Sequence, residues 1–272
     1  LLEGAGFRVS FGAHAFASDG YLAGPDADRA ADLTEAFCDP DVHAVVCSRG
    51  GYGCARLLAH LDLDAIAASG KLFVGFSDVT TLHLALNRRG LATVHGPMLV
   101  TFSVERPAWV AESWLSTMRG VPGPMPDVVG TCVTGGVAEG QLVGGCLCLL
   151  ADSLGTSEAL EAAGRVLLIE DVDEPPHRVD AMLTHLIRAG VVQRAAGIVV
   201  GEMTRTDERA DGGIGRRPWR EIVDERLGDL GVPLIRDYPC GHAPAPLTLP
   251  LGTRVRLDAD AGTLSILESP CD

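Results

Sequence analysis

The chain has 272 residues, 47% of them hydrophobic, with 33 glycines and a formal net charge of −14. That length supports a sizeable core, and the apolar fraction excludes a disordered chain. The excess of acid argues against nucleic acid or an anionic membrane surface as a partner.

Strand and helix alternate through the first third. Leu1 to Gly6 reads as a helix end and a glycine turn, expected to follow an earlier strand. Phe7 to Ser10 then reads as a strand, Asp26 to Phe37 as a helix entered through Pro25, and His43 to Cys47 as a short apolar strand. Ala55 to His60 continues into a helix, Lys71 to Gly75 is a strand, Val79 to Arg88 a helix ended by Gly90, and Thr93 starts another strand. This repetition predicts a parallel sheet covered on both faces, with the chemistry at the carboxyl ends of its strands. Residues 105–130, with Pro107, Pro122, Pro124 and Pro126, predict a helix and a linker. Beyond Gly136 the pattern is β-rich: Ala138 to Val143, Arg165 to Ile169, Gly197 to Val200, Arg254 to Leu257 and Thr263 to Leu267, interrupted by a helix over Val179 to Ala189. The polar stretch 205–218 reads as a mobile loop. The expected division is 1–105, a linker at 106–130, and 131–272.

The eight cysteines include no C-x-x-C pair and read as reduced, mostly buried thiols, which points to the cytoplasm. Cys146 and Cys148 form a C-x-C that would place both on one face of a strand. No apolar run approaches the roughly 18 residues of a membrane span, and no signal-peptide pattern is visible.

Four segments carry candidate chemistry. Gly75-Phe76-Ser77-Asp78 lies between an apolar strand and a helix, where a serine is either an exposed nucleophile or a plain helix cap. Ser48-Arg49-Gly50-Gly51-Tyr52-Gly53 follows another strand and suits a phosphate cradle, an oxyanion pocket or a tight turn. Glu170-Asp171-Val172-Asp173-Glu174-Pro175 crowds acids at a strand end, fitting a hard cation, a solvated turn, or an acid that orients a histidine. Tyr238 to Pro244 carries His242 in a Gly/Pro-rich loop, the best-placed base among eight histidines. The other seven, His95 among them, sit in predicted helices, strands or turns.

Taken together, these segments resemble the LD-carboxypeptidase family, which includes the muramoyl-tetrapeptide carboxypeptidases and the microcin C immunity peptidases. The matching stretches are Arg49 to Gly53, Gly75 to Thr80, His95-Gly96-Pro97, Glu170 to Pro175 and Gly241-His242, in the family's order along nearly the whole chain. The expected fold class is α/β: an N-terminal parallel-sheet domain, flavodoxin- or class I amidotransferase-like, plus a β-rich C-terminal domain. The resemblance implies Ser77 as nucleophile, His242 as general base, Glu170 as the acid that orients it, and the amides of Gly51 and Asp78 as the oxyanion hole. It implies substrate contacts at Gly50, Tyr52 and Arg178, with Asp173 and Glu174 facing a substrate amine. It implies no metal and no cofactor, a small peptide substrate (murein peptide or peptidyl-nucleotide) and a homodimer. The expected reaction is release of terminal D-Ala from murein tetrapeptide. The alternatives are cleavage of peptidyl-nucleotide toxins and a non-catalytic ligand-binding relative. His177-Arg178-Val179-Asp180-Ala181 departs from the family's Y-R-x-D-R pattern, which bears on substrate preference.

Overall fold

The computed structural model describes residues 1–121, 128–210 and 216–271. Its first sheet is built from βα units. Helix α1 (Asp26–Cys38) begins after Pro25, with Asp26 and Asp28 in its first turn, where acid complements the helix dipole. Strand β1 (Ala44–Val46), α2 (Cys54–Leu57), α3 (Leu63–Ala68), β2 (Leu72–Gly75), α4 (Thr80–Asn87) and β3 (Thr93–His95) follow, then α5 (Ala108–Thr117). β1, β2 and β3 are parallel neighbours. All four residues of β2 are buried, as expected of a strand covered on both faces.

The second sheet has seven strands. In chain order the remaining elements are β4 (Thr131–Thr134), β5 (Val137–Cys146), α6 (Leu147–Asp152), β6 (Val166–Val172), α7 (Pro176–Arg188), β7 (Gly197–Thr204), α8 (Trp219–Leu227), β8 (Leu234–Arg236), β9 (Leu249–Leu251), β10 (Arg254–Asp258) and β11 (Thr263–Ile266). The sheet order is β11-β10-β5-β6-β7-β8-β4, parallel from β5 to β8 and antiparallel at both margins. β6 is buried throughout except at Val172, whereas β10 alternates exposed Arg254 and Arg256 with buried Val255 and Leu257. Helix α7 buries Val179, Met182, Leu183 and Leu186, the stripe that a 3.6-residue period turns to one side. Each such side chain contributes about 1.5–3 kcal/mol on full burial.

Strand β9 leaves this part of the chain and joins the first sheet, antiparallel to β3, pairing Leu249 with His95 and Pro250 with Val94. The molecule is thus α/β, with a parallel N-terminal sheet, a strand-rich C-terminal part, and a shared seam.

Several expectations change. Phe7 to Ser10 shows the alternating exposure of a strand but pairs with no described strand, and a ladder requires a partner. Cys146 ends β5 while Cys148 lies in α6, so the C-x-C spans a strand–helix junction rather than one strand face. Cys38, Cys47, Cys54, Cys132, Cys146, Cys148 and Cys240 are free thiols, but of the eight cysteines only Cys146 and Cys240 are buried, and Cys38 and Cys132 are exposed. Pro122, Pro124 and Pro126 lie outside the described residues, as do 211–215 of the expected loop. The described start of that loop is tied down: Arg205 and Arg209 both pair with Asp173, and Asp207 accepts the Trp219 amide at 2.9 Å.

Candidate active site

The carboxyl ends of β1, β2, β3 and β6 converge at the seam. Ser77 lies two residues past the end of β2, after Phe76, and opens a 3-10 turn that leads into α4. Its φ is 67°, a left-handed conformation that costs a non-glycine residue about 1–2 kcal/mol. Strain at a strand-to-helix turn is the device that lifts a serine hydroxyl clear of its backbone. The side chain of Ser77 is half-buried, and its Oγ forms no hydrogen bond with any described residue.

The loop after β1 lies against this turn. A Cβ at Gly50 would stand 2.8 Å from Ser77 Cβ and 3.0 Å from its Oγ, so only glycine lets the two segments approach this closely. The Gly51 amide donates to no described residue. The Asp78 amide belongs to the first turn of a helix, where amides have no partner within the helix. The Asp78 carboxylate faces the other way and accepts the Cys54 amide at 2.8 Å, pinning the loop to the turn. Tyr52 is 60% exposed and lies beside exposed Tyr21, the two rings tilted at 59° with centroids 5.8 Å apart.

Glu170, near the end of β6, is fully buried and meets His242 from the loop before β9. Its Oε2 accepts both the His242 ring Nδ1–H, at 2.7 Å, and the His242 backbone N–H, at 3.1 Å. With a carboxylate as acceptor, Nδ1 carries the proton and Nε2 is left with its lone pair. Gly241, at φ 67°, permits the contact, because a Cβ there would fall 2.0 Å from Oε2. Burial alone would raise the Glu170 pKa, but the charge and hydrogen bond of His242, with His95 beyond, outweigh it and hold the carboxyl down to about 2. Burial pulls His242 down, and Glu170 more than reverses this, leaving the imidazole raised above its ordinary value.

Phe76 links the two groups. Its ring lies edge-on to His242 at 4.8 Å between centroids, and the next residue is Ser77. The structure therefore brings Ser77 and the Glu170–His242 pair to one place, but Ser77 Oγ and His242 are not hydrogen-bonded. Hydroxyl–imidazole contacts of this kind are commonly long before substrate binds. Thr80, one turn beyond Ser77, ties α4 to the second sheet by accepting the Cys146 amide at 3.0 Å.

The acidic run divides its labour. Glu170 holds His242, and Asp171 accepts the Cys148 amide at 2.8 Å and the Val172 amide at 2.7 Å. Asp173 is taken by Arg205 and Arg209, and Glu174 pairs with Arg178 at 3.5 Å. These carboxylates form no shared cage for a hard cation. Arg178 is 53% exposed on the first turn of α7. Ligand atoms of Cys146, Cys148 and Asp171 do lie within 4.8 Å of one another, with Cys146 Sγ 3.4 Å from Asp171 Oδ1. Sequence reasoning also passed over His95. It is fully buried at the end of β3, with Nε2 3.4 Å from Glu170 Oε1. Its signal was the H-G-P stretch, whose meaning appears only when β3 and β6 are seen side by side.

Comparison with known proteins agrees with this layout. Residues 1–96 match the family model of the LD-carboxypeptidase N-terminal domain, and residues 139–257 that of the C-terminal domain. A Streptomyces coelicolor protein, named as a carboxypeptidase, is 43% identical over 257 residues, covering 90% of this chain and 78% of its own. The muramoyltetrapeptide carboxypeptidase of Oxalobacter formigenes superposes with a TM-score of 0.83 at 31% identity, over 97% of this chain and 90% of its own. The microcin C7 self-immunity protein MccF, solved with aspartyl sulfamoyl adenosine, gives a TM-score of 0.86 at 26% identity, over 99% and 89%. Both halves of the chain match in order and the fold matches throughout: the chain belongs to the LD-carboxypeptidase family of serine-type hydrolases.

Proposed function

We propose that the protein hydrolyses the bond between an L-centre and a terminal D-amino acid, with murein tetrapeptide as substrate and D-Ala as product. Ser77 attacks the scissile carbonyl carbon, and its proton passes to His242 Nε2. Glu170 holds the imidazole in the tautomer that leaves Nε2 free and stabilises the cation that forms. The amides of Gly51 and Asp78 receive the developing oxyanion, a contribution of roughly 3–4 kcal/mol for one such donor. His242 returns the proton to the departing amine, and water repeats the sequence on the acyl-enzyme. Gly50 and Tyr52 line the mouth of the site, and Arg178 meets the substrate carboxylate by exchanging its pairing with Glu174.

The observation that carries this reading is the buried Glu170–His242 hydrogen bond beside a serine on a strained turn. The likeness to MccF supports a second substrate class, peptidyl-nucleotides, on the same machinery. No helix among the described residues is long and apolar enough to cross a membrane. Free thiols at Cys38, Cys47, Cys54, Cys132, Cys146, Cys148 and Cys240 are in keeping with action in the cytoplasm, and the family resemblance carries the expectation of a homodimer.

The test is to incubate the protein with murein tetrapeptide and, separately, with a peptidyl sulfamoyl adenosine, and to read products by mass. Release of D-Ala that Ser77→Ala lowers by roughly 10^4-fold or more, at unchanged melting temperature, is the expected result. Full turnover by Ser77→Ala would remove Ser77 as nucleophile. Cleavage of the nucleotide conjugate alone would move the protein to the second class.

A further inference from the structure

Glu170 has two oxygens, and His242 occupies only one. Both donors from the His242 segment converge on Oε2, at 2.7 and 3.1 Å. Oε1 is buried and has no hydrogen-bond partner. Opposite it, 3.4 Å away, stands Nε2 of His95, also buried and also without a partner. A buried donor and a buried acceptor left unmade are each costly, and one bond between them satisfies both. Asp171, the next carboxylate along β6, also reaches Glu170 with its charge, but its oxygens are spent on the Cys148 and Val172 amides. His83, whose ring centroid is 6.4 Å from that of His95, spends its Nε2 on the Gly75 carbonyl at 2.9 Å and is held neutral by burial. Phe76 fills the remaining side, 5.9 Å from His95 and 4.8 Å from His242.

The backbone makes His95 a rigid support. It sits inside the first sheet, paired with Gly75 of β2 on one side and Leu249 of β9 on the other. Gly75 lies two residues before Ser77, and β9 follows the loop that carries His242. One imidazole therefore touches the carboxylate from a frame shared with both other members of the site. The terminal torsion of a glutamate is broad, so a carboxylate held at one oxygen can pivot. Held at both, it presents Oε2 to Nδ1 in a fixed plane.

We infer that His95 is a positioning residue that acts through Glu170: its Nε2–H donates to Oε1 and locks the carboxylate for His242. This rests on the reading of Ser77, His242 and Glu170 as the machinery. The ring is thereby assigned the tautomer with hydrogen on Nε2.

The test compares His95→Gln, whose amide nitrogen reaches the place of Nε2, with His95→Asn, whose amide falls short, and with His95→Phe, a flat ring without a donor. Turnover of murein tetrapeptide or of the peptidyl sulfamoyl adenosine and the NMR titration of the His242 imidazole are read for each. The Asn and Phe variants are expected to lose about 10- to 100-fold in kcat with KM little changed, the scale of a misplaced catalytic group. Their His242 midpoint should fall, because a loosened carboxylate stabilises the cation less. The Gln variant should recover most of both. A purely structural His95 would lower the melting temperature without separating Gln from Asn. Should the Phe variant fail to fold, equal kcat and equal His242 midpoints in the Gln and Asn variants overturn the inference. Wild-type kcat in a folded Phe variant overturns it as well. If Ser77→Ala keeps full turnover, the machinery itself has been misread, and the His242 titration still reports whether His95 acts on Glu170.

Discussion

The two halves of the site are held by different forces. Ser77 is placed by backbone: a left-handed φ, a glycine that lets the neighbouring loop approach, and a helix start that leaves amides unspent. Its side chain is half-buried and makes no hydrogen bond with any described residue. Glu170 and His242 are placed by side-chain hydrogen bonds and charge in a buried setting, where unpaired polar groups are expensive. A nucleophile must be open to its substrate, and side-chain bonds would compete with that, so main-chain geometry supplies its position. The acid can be sealed away, because it never meets substrate.

This contrast can be broken from either side. The largest effect is expected at the charged pair. Glu170→Gln keeps the shape but loses the anion, and its amide can offer a donor to Nδ1 and so favour the wrong tautomer. We expect kcat to fall about 10^3- to 10^4-fold at nearly unchanged KM in steady-state assays. A loss of less than tenfold would mean that charge does not hold this half. Next comes Gly50→Ala, which changes no charge but puts a methyl 2.8 Å from Ser77 Cβ. Displacing the nucleophile by a fraction of an ångström should cost about 10^2-fold in kcat/KM. An alanine variant with wild-type activity would mean that backbone geometry is not the constraint.

The smallest and sharpest test is the pH profile. In the proposed mechanism His242 must be neutral to accept the Ser77 proton, and Glu170 raises its pKa by stabilising the cation. The acid limb of kcat/KM should therefore lie above the ordinary histidine value of about 6.5. Glu170 itself, held to about 2, stays ionised across that range and adds no second limb. In Glu170→Gln the limb should move to lower pH. A limb that stays in place would mean that His242 is not the titrating base.

Much of this was legible in the sequence where local pattern and chemistry coincide. The β2–turn–α4 unit is an apolar strand, a glycine, a serine and a helix in a row, and β6 is an apolar run ending in acid. The stripe on α7 is equally plain. Strand β9 was not legible, because Pro250 reads as a break, and proline is tolerated only where a strand needs no donor at that position. Helix α6 was hidden because its short apolar stretch has no polar face to reveal a period. In the site, Ser77, Glu170 and His242 each stand at a strand end or in a Gly/Pro-rich loop, where functional residues collect. His95 and the closeness of Gly50 to Ser77 depend on which segments the fold lays side by side.

The seating of β9 against β3 has a bearing on how the chain is made. During synthesis β1, β2 and β3 emerge early, but the margin of β3 stays unpaired until residues near 250 leave the ribosome. An uncovered strand margin invites association with other chains. The Glu170–His242 contact forms across the same junction, so a nascent chain holds its serine long before it holds a working base. In the proposed mechanism hydrolytic competence thus waits for the last third of the chain, and a truncated product that stops short of β9 would leave the margin of β3 open to self-association.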